Sequence, residues 1–84
     1  IIIAYEPVWS IGTGLIPKSN DLLNSISFIK NKFSKKTPKI LYGGSVNSKN
    51  IAQLKDISVI DGFLIGGASQ NSKKFIDIIK KTFN

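Results

Sequence analysis

Three short apolar runs recur along the chain, and between them the apolar positions change period. Ile1-Ile2-Ile3-Ala4-Tyr5 is continuous and β-branched, which suits a strand buried on both faces of a parallel sheet. Lys39-Ile40-Leu41-Tyr42 and Phe63-Leu64-Ile65 repeat the theme. Leu22, Ile26, Ile29 and Phe33 are spaced four, three and four apart, one stripe of an amphipathic helix. Ser19 and Asn20 are candidate caps at its start, and Asp21 places an acid in the first turn. Lys30, Lys32, Lys35 and Lys36 crowd its end, where cations suit the helix dipole, and Thr37-Pro38 breaks it. A shorter helix is expected around Ile51 and Leu54, capped by Asn47 or Ser48. A last helix is expected over about 72–82, with Phe75, Ile76, Ile79 and Phe83 on one face. The order is β-α-β-α-β-α with short connections, an α/β pattern that implies parallel strands.

Parallel strands bring their C-terminal ends to one edge, where α/β folds bind ligands. Glu6, Gly12, Gly43-Gly44-Ser45 and Gly66-Gly67 are therefore expected to face one another. Glu6 is the only glutamate. It ends the first apolar run, and Pro7, with no N–H to give, stops the strand behind it. Over 7–17 a loop follows in which Trp9 and Ile11 carry apolar weight, and Gly12 and Gly14 allow bends. Glu6 reads either as a surface charge at a strand end or as a base under a lid. In the second case closure would desolvate the carboxylate and make it a stronger base. Trp9 serves packing in either reading. Tyr42 suits the core, with its hydroxyl placed to tie the lid down. Asp61-Gly62 reads as a turn and not as a catalyst.

Gly66-Gly67-Ala68-Ser69 after a strand can present backbone N–H groups to an anion, or be an ordinary βα turn. Gly43-Gly44-Ser45 makes the same case with a hydroxyl added. Neither is a nucleotide loop of the G-x-x-x-x-G-K-[ST] or G-x-G-x-x-G kind, so one phosphate on a small molecule fits better.

Composition narrows the classes. Eighty-four residues make one small domain or part of a larger one, and 42% hydrophobic content suits a globular chain. No run of about 18 apolar residues suggests a membrane span. There is no cysteine for a disulfide or thiolate, and no histidine. The net charge of +7 comes from lysine alone. The absence of arginine argues against base readout, and the scattered lysines read as solvated helix faces. Opening inside a strand without methionine, the chain is expected to be a piece of something longer.

The segments A-Y-E-P-V-W-S-I-G-T-G at 4–14, Y-G-G-S-V at 42–46 and D-G-F-L-I-G-G-A-S at 61–69 resemble the triosephosphate isomerase family in order and spacing. The resemblance covers the whole chain as the family's C-terminal third. It implies a partial (β/α)₈ barrel, three C-terminal β-α units equivalent to strands six to eight, since a whole barrel needs about 250 residues. It implies that Glu6 is the general base moving a proton between C1 and C2 of dihydroxyacetone phosphate and D-glyceraldehyde 3-phosphate through an enediol(ate). It implies a lid of Pro7, Val8, Trp9, Ser10, Ile11, Gly12, Thr13 and Gly14, running on to Pro17. Gly12, Ser45, Gly66 and Gly67 then hold the phosphate. No metal or cofactor is implied, and the full-length protein would be a cytoplasmic homodimer of glycolysis and gluconeogenesis.

Two positions depart from the family pattern. Leu15-Ile16-Pro17 stands where a Lys-Thr-Ala-like hinge is usual, and Ser10 replaces a common alanine, a mild change. The family's lysine and histidine from early strands have no counterpart, so the chain alone is expected to be inactive. Two other readings are another phosphate-binding barrel enzyme and a small basic nucleic-acid module. The Glu6 motif speaks against the first, and the lack of an aromatic platform or basic stripe against the second.

Overall fold

A computed structural model of the chain describes residues 1–33 and 35–83. Three parallel strands, β1 (Ile2–Tyr5), β2 (Lys39–Tyr42) and β3 (Gly62–Phe63), lie side by side in chain order. Helices α1 (Ser19–Asn31), α2 (Ile51–Lys55) and α3 (Ser72–Thr82) follow them in turn. This is the α/β alternation that the hydrophobic pattern implied.

The core sits between the sheet and its helices. Ile40 and Tyr42, two apart on β2, point to the same side and are fully buried. Their neighbours across β1 are Ile3 and Tyr5, which pack against the same cluster. Leu22 and Ile26 of α1, Ile51 and Leu54 of α2, and Ile78 of α3 close it. Each buried Leu or Ile contributes about 1.5–3 kcal/mol.

The opposite side of the sheet has no such cover. Ile2 is 69% exposed and Ala4 is also exposed. This corrects the expectation that β1 is buried on both faces. Its β-branched composition suits a two-sided environment, but three strands provide only one covered side.

Three local details also differ from the sequence reading. Helix α1 is capped by Lys18 with no side-chain bond, so Ser19 and Asn20 are the first helical residues. On α3 the buried residue is Ile78, while Ile76, Ile79 and Phe83 are exposed. The helix is apolar over more than one stripe, and the stripe that docks on α2 was not the one chosen. β3 is shorter than Phe63–Ile65, although Leu64 N–H still donates to Tyr42 O at 2.9 Å.

Asp61 does more than turn the chain. Its Oδ2 accepts from Ile40 N–H at 2.9 Å and from the Lys30 ammonium at 3.0 Å, while its own N–H donates to Ile40 O at 2.9 Å. The side chain and backbone of one residue thus fix β3 against β2.

Candidate active site

Register sets the site. Tyr5, Tyr42 and Phe63 are level across the sheet, so Glu6 and Gly43 leave their strands at the same height. Gly43 N–H donates to Tyr5 O at 2.9 Å. A Cβ at Gly43 would stand 2.7 Å from Glu6 Cγ and 3.0 Å from its Oε1. The Glu6 side chain therefore lies directly on Gly43. The sequence reading assigned Gly43 to an anion loop; its use as a seat for the carboxylate becomes visible only once the strand ends are aligned.

The loop expected to be a lid begins as a 3₁₀ turn over Val8–Ser10, with Ser10 N–H donating to Pro7 O at 2.9 Å. Thr13 Oγ1 lies 3.0 Å from Trp9 O and 3.1 Å from Ser10 O, and it accepts from Leu15 N–H at 3.1 Å. Gly12 and Gly14 have φ of 71° and 77°, left-handed values that favour glycine.

Ser10 is fully buried. Its hydroxyl bonds Leu15 O, lies 3.0 Å from Tyr42 Oη and accepts from Ser45 N–H at 3.1 Å. Ser45 Oγ donates to Ser10 O and accepts from Gly14 N–H at 2.9 Å. Gly44 completes the packing, since a Cβ there would fall 2.0 Å from Tyr42 Oη and 2.5 Å from Ser10 Oγ. Burial pushes the Tyr42 hydroxyl above the ordinary tyrosine range, and the bond with Ser10 pulls the other way. Ser45 was expected to offer its hydroxyl to an anion; in this arrangement both its donors face the lid.

The lid does not cover Glu6, which is exposed. Burying Ser10 against β2 turns the neighbouring Trp9 the other way. Its ring helps line a cavity of about 380 Å³ with Tyr5, Pro7, Ile16, Pro17 and Leu22 on the α1 side.

A second cavity, of about 510 Å³, gathers the remaining candidates: Gly12, Ser45, Gly66 and Gly67 all line it, and so does Gly43 beneath Glu6. Nothing stands within 4 Å of a Cβ built on Gly12, Gly66 or Gly67. Gly66 O accepts from Ser69 N–H at 2.9 Å and from its hydroxyl at 2.6 Å, which shapes the 3₁₀ turn Gly67–Gln70. Lys49 and Lys74 also line the cavity, and among the described residues no acid does. The sequence reading places these two lysines among the solvated faces, because spacing alone gives no sign that the turn before α2 and the first turns of α3 converge here.

The triosephosphate isomerase family model matches residues 1–82. The chain belongs to the triosephosphate isomerase family. Triosephosphate isomerase of Debaryomyces hansenii is 47% identical over 95% of this chain and 35% of its own length. That of Dehalococcoides mccartyi is 48% identical over 96% of this chain and 35% of its own. That of Zygosaccharomyces bailii is 49% identical over 94% of this chain and 34% of its own. The chain thus spans about a third of the length of the curated triosephosphate isomerases it matches.

Proposed function

We propose that these residues are the C-terminal third of a triosephosphate isomerase, contributing its base, its lid and most of its phosphate site. The observation that carries this is the seating of Glu6 on Gly43, beside a cavity lined by Gly12, Ser45, Gly66 and Gly67 and free of acids among the described residues. A carboxylate at that place takes the proton from C1 of dihydroxyacetone phosphate. The electron pair moves into the enediol(ate), and the proton returns at C2 to give D-glyceraldehyde 3-phosphate. The phosphate dianion sits among the open glycine backbones, with Lys49 and Lys74 supplying positive potential, while Ser45 ties the cavity's edge to the lid.

The reaction also needs an electrophile near the substrate oxygens. Since this chain has no histidine, that group belongs to the other two-thirds of the family's length, and the 84 residues alone are inactive. The working enzyme is a cytoplasmic homodimer acting in glycolysis and gluconeogenesis. Among the described residues no helix is long and apolar enough to cross a membrane.

The test uses a full-length chain in which these residues replace the matching third of the D. hansenii relative. Glu6→Gln keeps the shape and removes the base. General-base catalysis is commonly worth about 10²–10⁴-fold, so kcat is expected to fall by at least that range's lower end with KM little changed. A near-normal kcat would sink the assignment of Glu6.

A further inference from the structure

A third cavity, of about 470 Å³, adjoins the one of about 510 Å³ in which phosphate is placed, and Ser48 and Lys74 line both. Lys73, Ile76, Asp77 and Lys80 form the rest of its wall. Counting Lys49 on the first cavity, four lysines border the two hollows against one acid among the described residues. That acid is already engaged: Asp77 Oδ2 lies 3.4 Å from the Lys81 ammonium, one turn along α3. Lys81 also donates to Ser48 O at 3.3 Å, which holds the border between the hollows against α3. Among the described residues no ion pair involves Lys49, Lys73, Lys74 or Lys80.

Helix stability explains only part of this cluster. Lys80 suits the last turn of α3. Lys73 and Lys74 stand in the first turn, where the positive end of the dipole disfavours cations, and no acid accompanies them there. Cations gathered without an anion repel one another, and an anion placed among them relieves that repulsion. The lysines therefore continue the positive potential of the phosphate cavity outward along α3.

We propose that Lys73, Lys74 and Lys80 form a second anion subsite, so that a small molecule carrying two phosphate groups binds across both cavities, one group among the glycines and the other among the lysines. The first half of this rests on the phosphate reading of the larger cavity; the second rests on the lysine cluster. Such a ligand excludes a monophosphate from the site and gains from holding two positions at once.

The experiment uses the full-length chain described above. Orthophosphate probes the first cavity, and tripolyphosphate, with two phosphate ends joined by a third, probes both. Binding is followed by titration calorimetry at about 0.15 M ionic strength, where attraction between exposed charges is screened beyond about 8 Å. Tripolyphosphate is expected to bind once per chain, at least about tenfold more tightly than orthophosphate, and to be displaced by it. Lys73→Gln combined with Lys80→Gln removes two charges that do not line the first cavity. Glutamine ranks with lysine as a helix former, so α3 is kept. The double variant should weaken tripolyphosphate about tenfold, since exposed pairs contribute up to about 1 kcal/mol each, and orthophosphate less than about twofold.

Equal affinity for the two anions would overturn the subsite. An equal loss of both in the double variant would do the same, because it would show only diffuse attraction to a basic surface. Tripolyphosphate that binds without displacing orthophosphate would overturn the bridging of the two cavities. A chain that takes orthophosphate but gains nothing from tripolyphosphate keeps the isomerase reading and loses this one. A chain that takes tripolyphosphate through Lys73 and Lys80 but no orthophosphate counts against the phosphate reading of the first cavity and supports the lysine subsite.

Discussion

The two sides of the site are built on opposite plans. Around Ser10, Tyr42 and Ser45 the donors are spent inside the protein, and the space is so filled that Gly44 has no room for a methyl group. Around Gly12, Gly66 and Gly67 the backbone borders a cavity, and an added Cβ would touch nothing within 4 Å. The first side fixes where the lid and the strand ends stand. The second leaves backbone accessible to something that is not protein. Glycine appears on both, in opposite settings: on one side a neighbour presses in, on the other the space beside it is open.

The comparison breaks most visibly at Gly44. Gly44→Ala puts a carbon 2.0 Å from Tyr42 Oη and 2.5 Å from Ser10 Oγ. Both atoms are buried and bonded, so neither can swing away. Overpacking of this kind costs about 3 kcal/mol or more. Urea unfolding of the full-length chain should show that loss. A stability within about 0.5 kcal/mol of the parent, the range of ordinary surface substitutions, would mean the cluster is looser than drawn.

The open side should behave the other way. A Cβ at Gly67 would meet no atom within 4 Å, so Gly67→Asp should cost the fold little, within about 0.5 kcal/mol. The new carboxylate would face a phosphate dianion where the cavity now holds no acid among the described residues. Inorganic phosphate and phosphate-bearing inhibitors should bind at least about tenfold more weakly, a difference of about 1.4 kcal/mol. Equal inhibitor affinity in a folded variant would remove Gly67 from the site.

Much of this was legible in the sequence, and what escaped it has physical reasons. The span of β2 followed from an apolar run bounded by Pro38 and Gly43, and α3 occupies the expected 72–82. The cap of α3 was not foreseen: Asn71 accepts from Lys74 N–H at 3.1 Å. The face of α3 did not follow, because Phe75, Ile76, Ile78 and Ile79 offer two apolar stripes and only the position of α2 chooses between them. Ser10 looked like a mild exchange for alanine. Its meaning depends on Tyr42 and Ser45, more than 30 residues away in sequence. The exposure of Glu6, too, depends on which way the lid turns Trp9, and side-chain direction in a loop has no period to reveal it. Motifs showed which residues share an edge; register and packing showed which of them touch.

A smaller effect sharpens the comparison from below, at the clamp that sets the register on which both sides depend. Ile40 N–H beside Asp61 holds its carboxyl below the ordinary value of 3.8; partial burial opposes this, and the Lys30 ammonium reinforces it. A carboxyl depressed in the folded state stabilises that state above its unfolded value. The contribution disappears as pH falls below 3.8 and through the folded value. Asp61→Asn keeps the size and an acceptor oxygen but loses the charge. With a side chain 25% exposed, solvent screening trims the gain, leaving about 1 kcal/mol at neutral pH. Urea unfolding of the full-length chain and its Asn variant at pH 7 and near pH 2.5 checks this. The gap between them should be present at pH 7 and should narrow in acid, as the parent's carboxyl takes up its proton. A gap of the same size at both pH values would show that Asp61 acts through shape alone, and that its charge does not hold β2 and β3 in register.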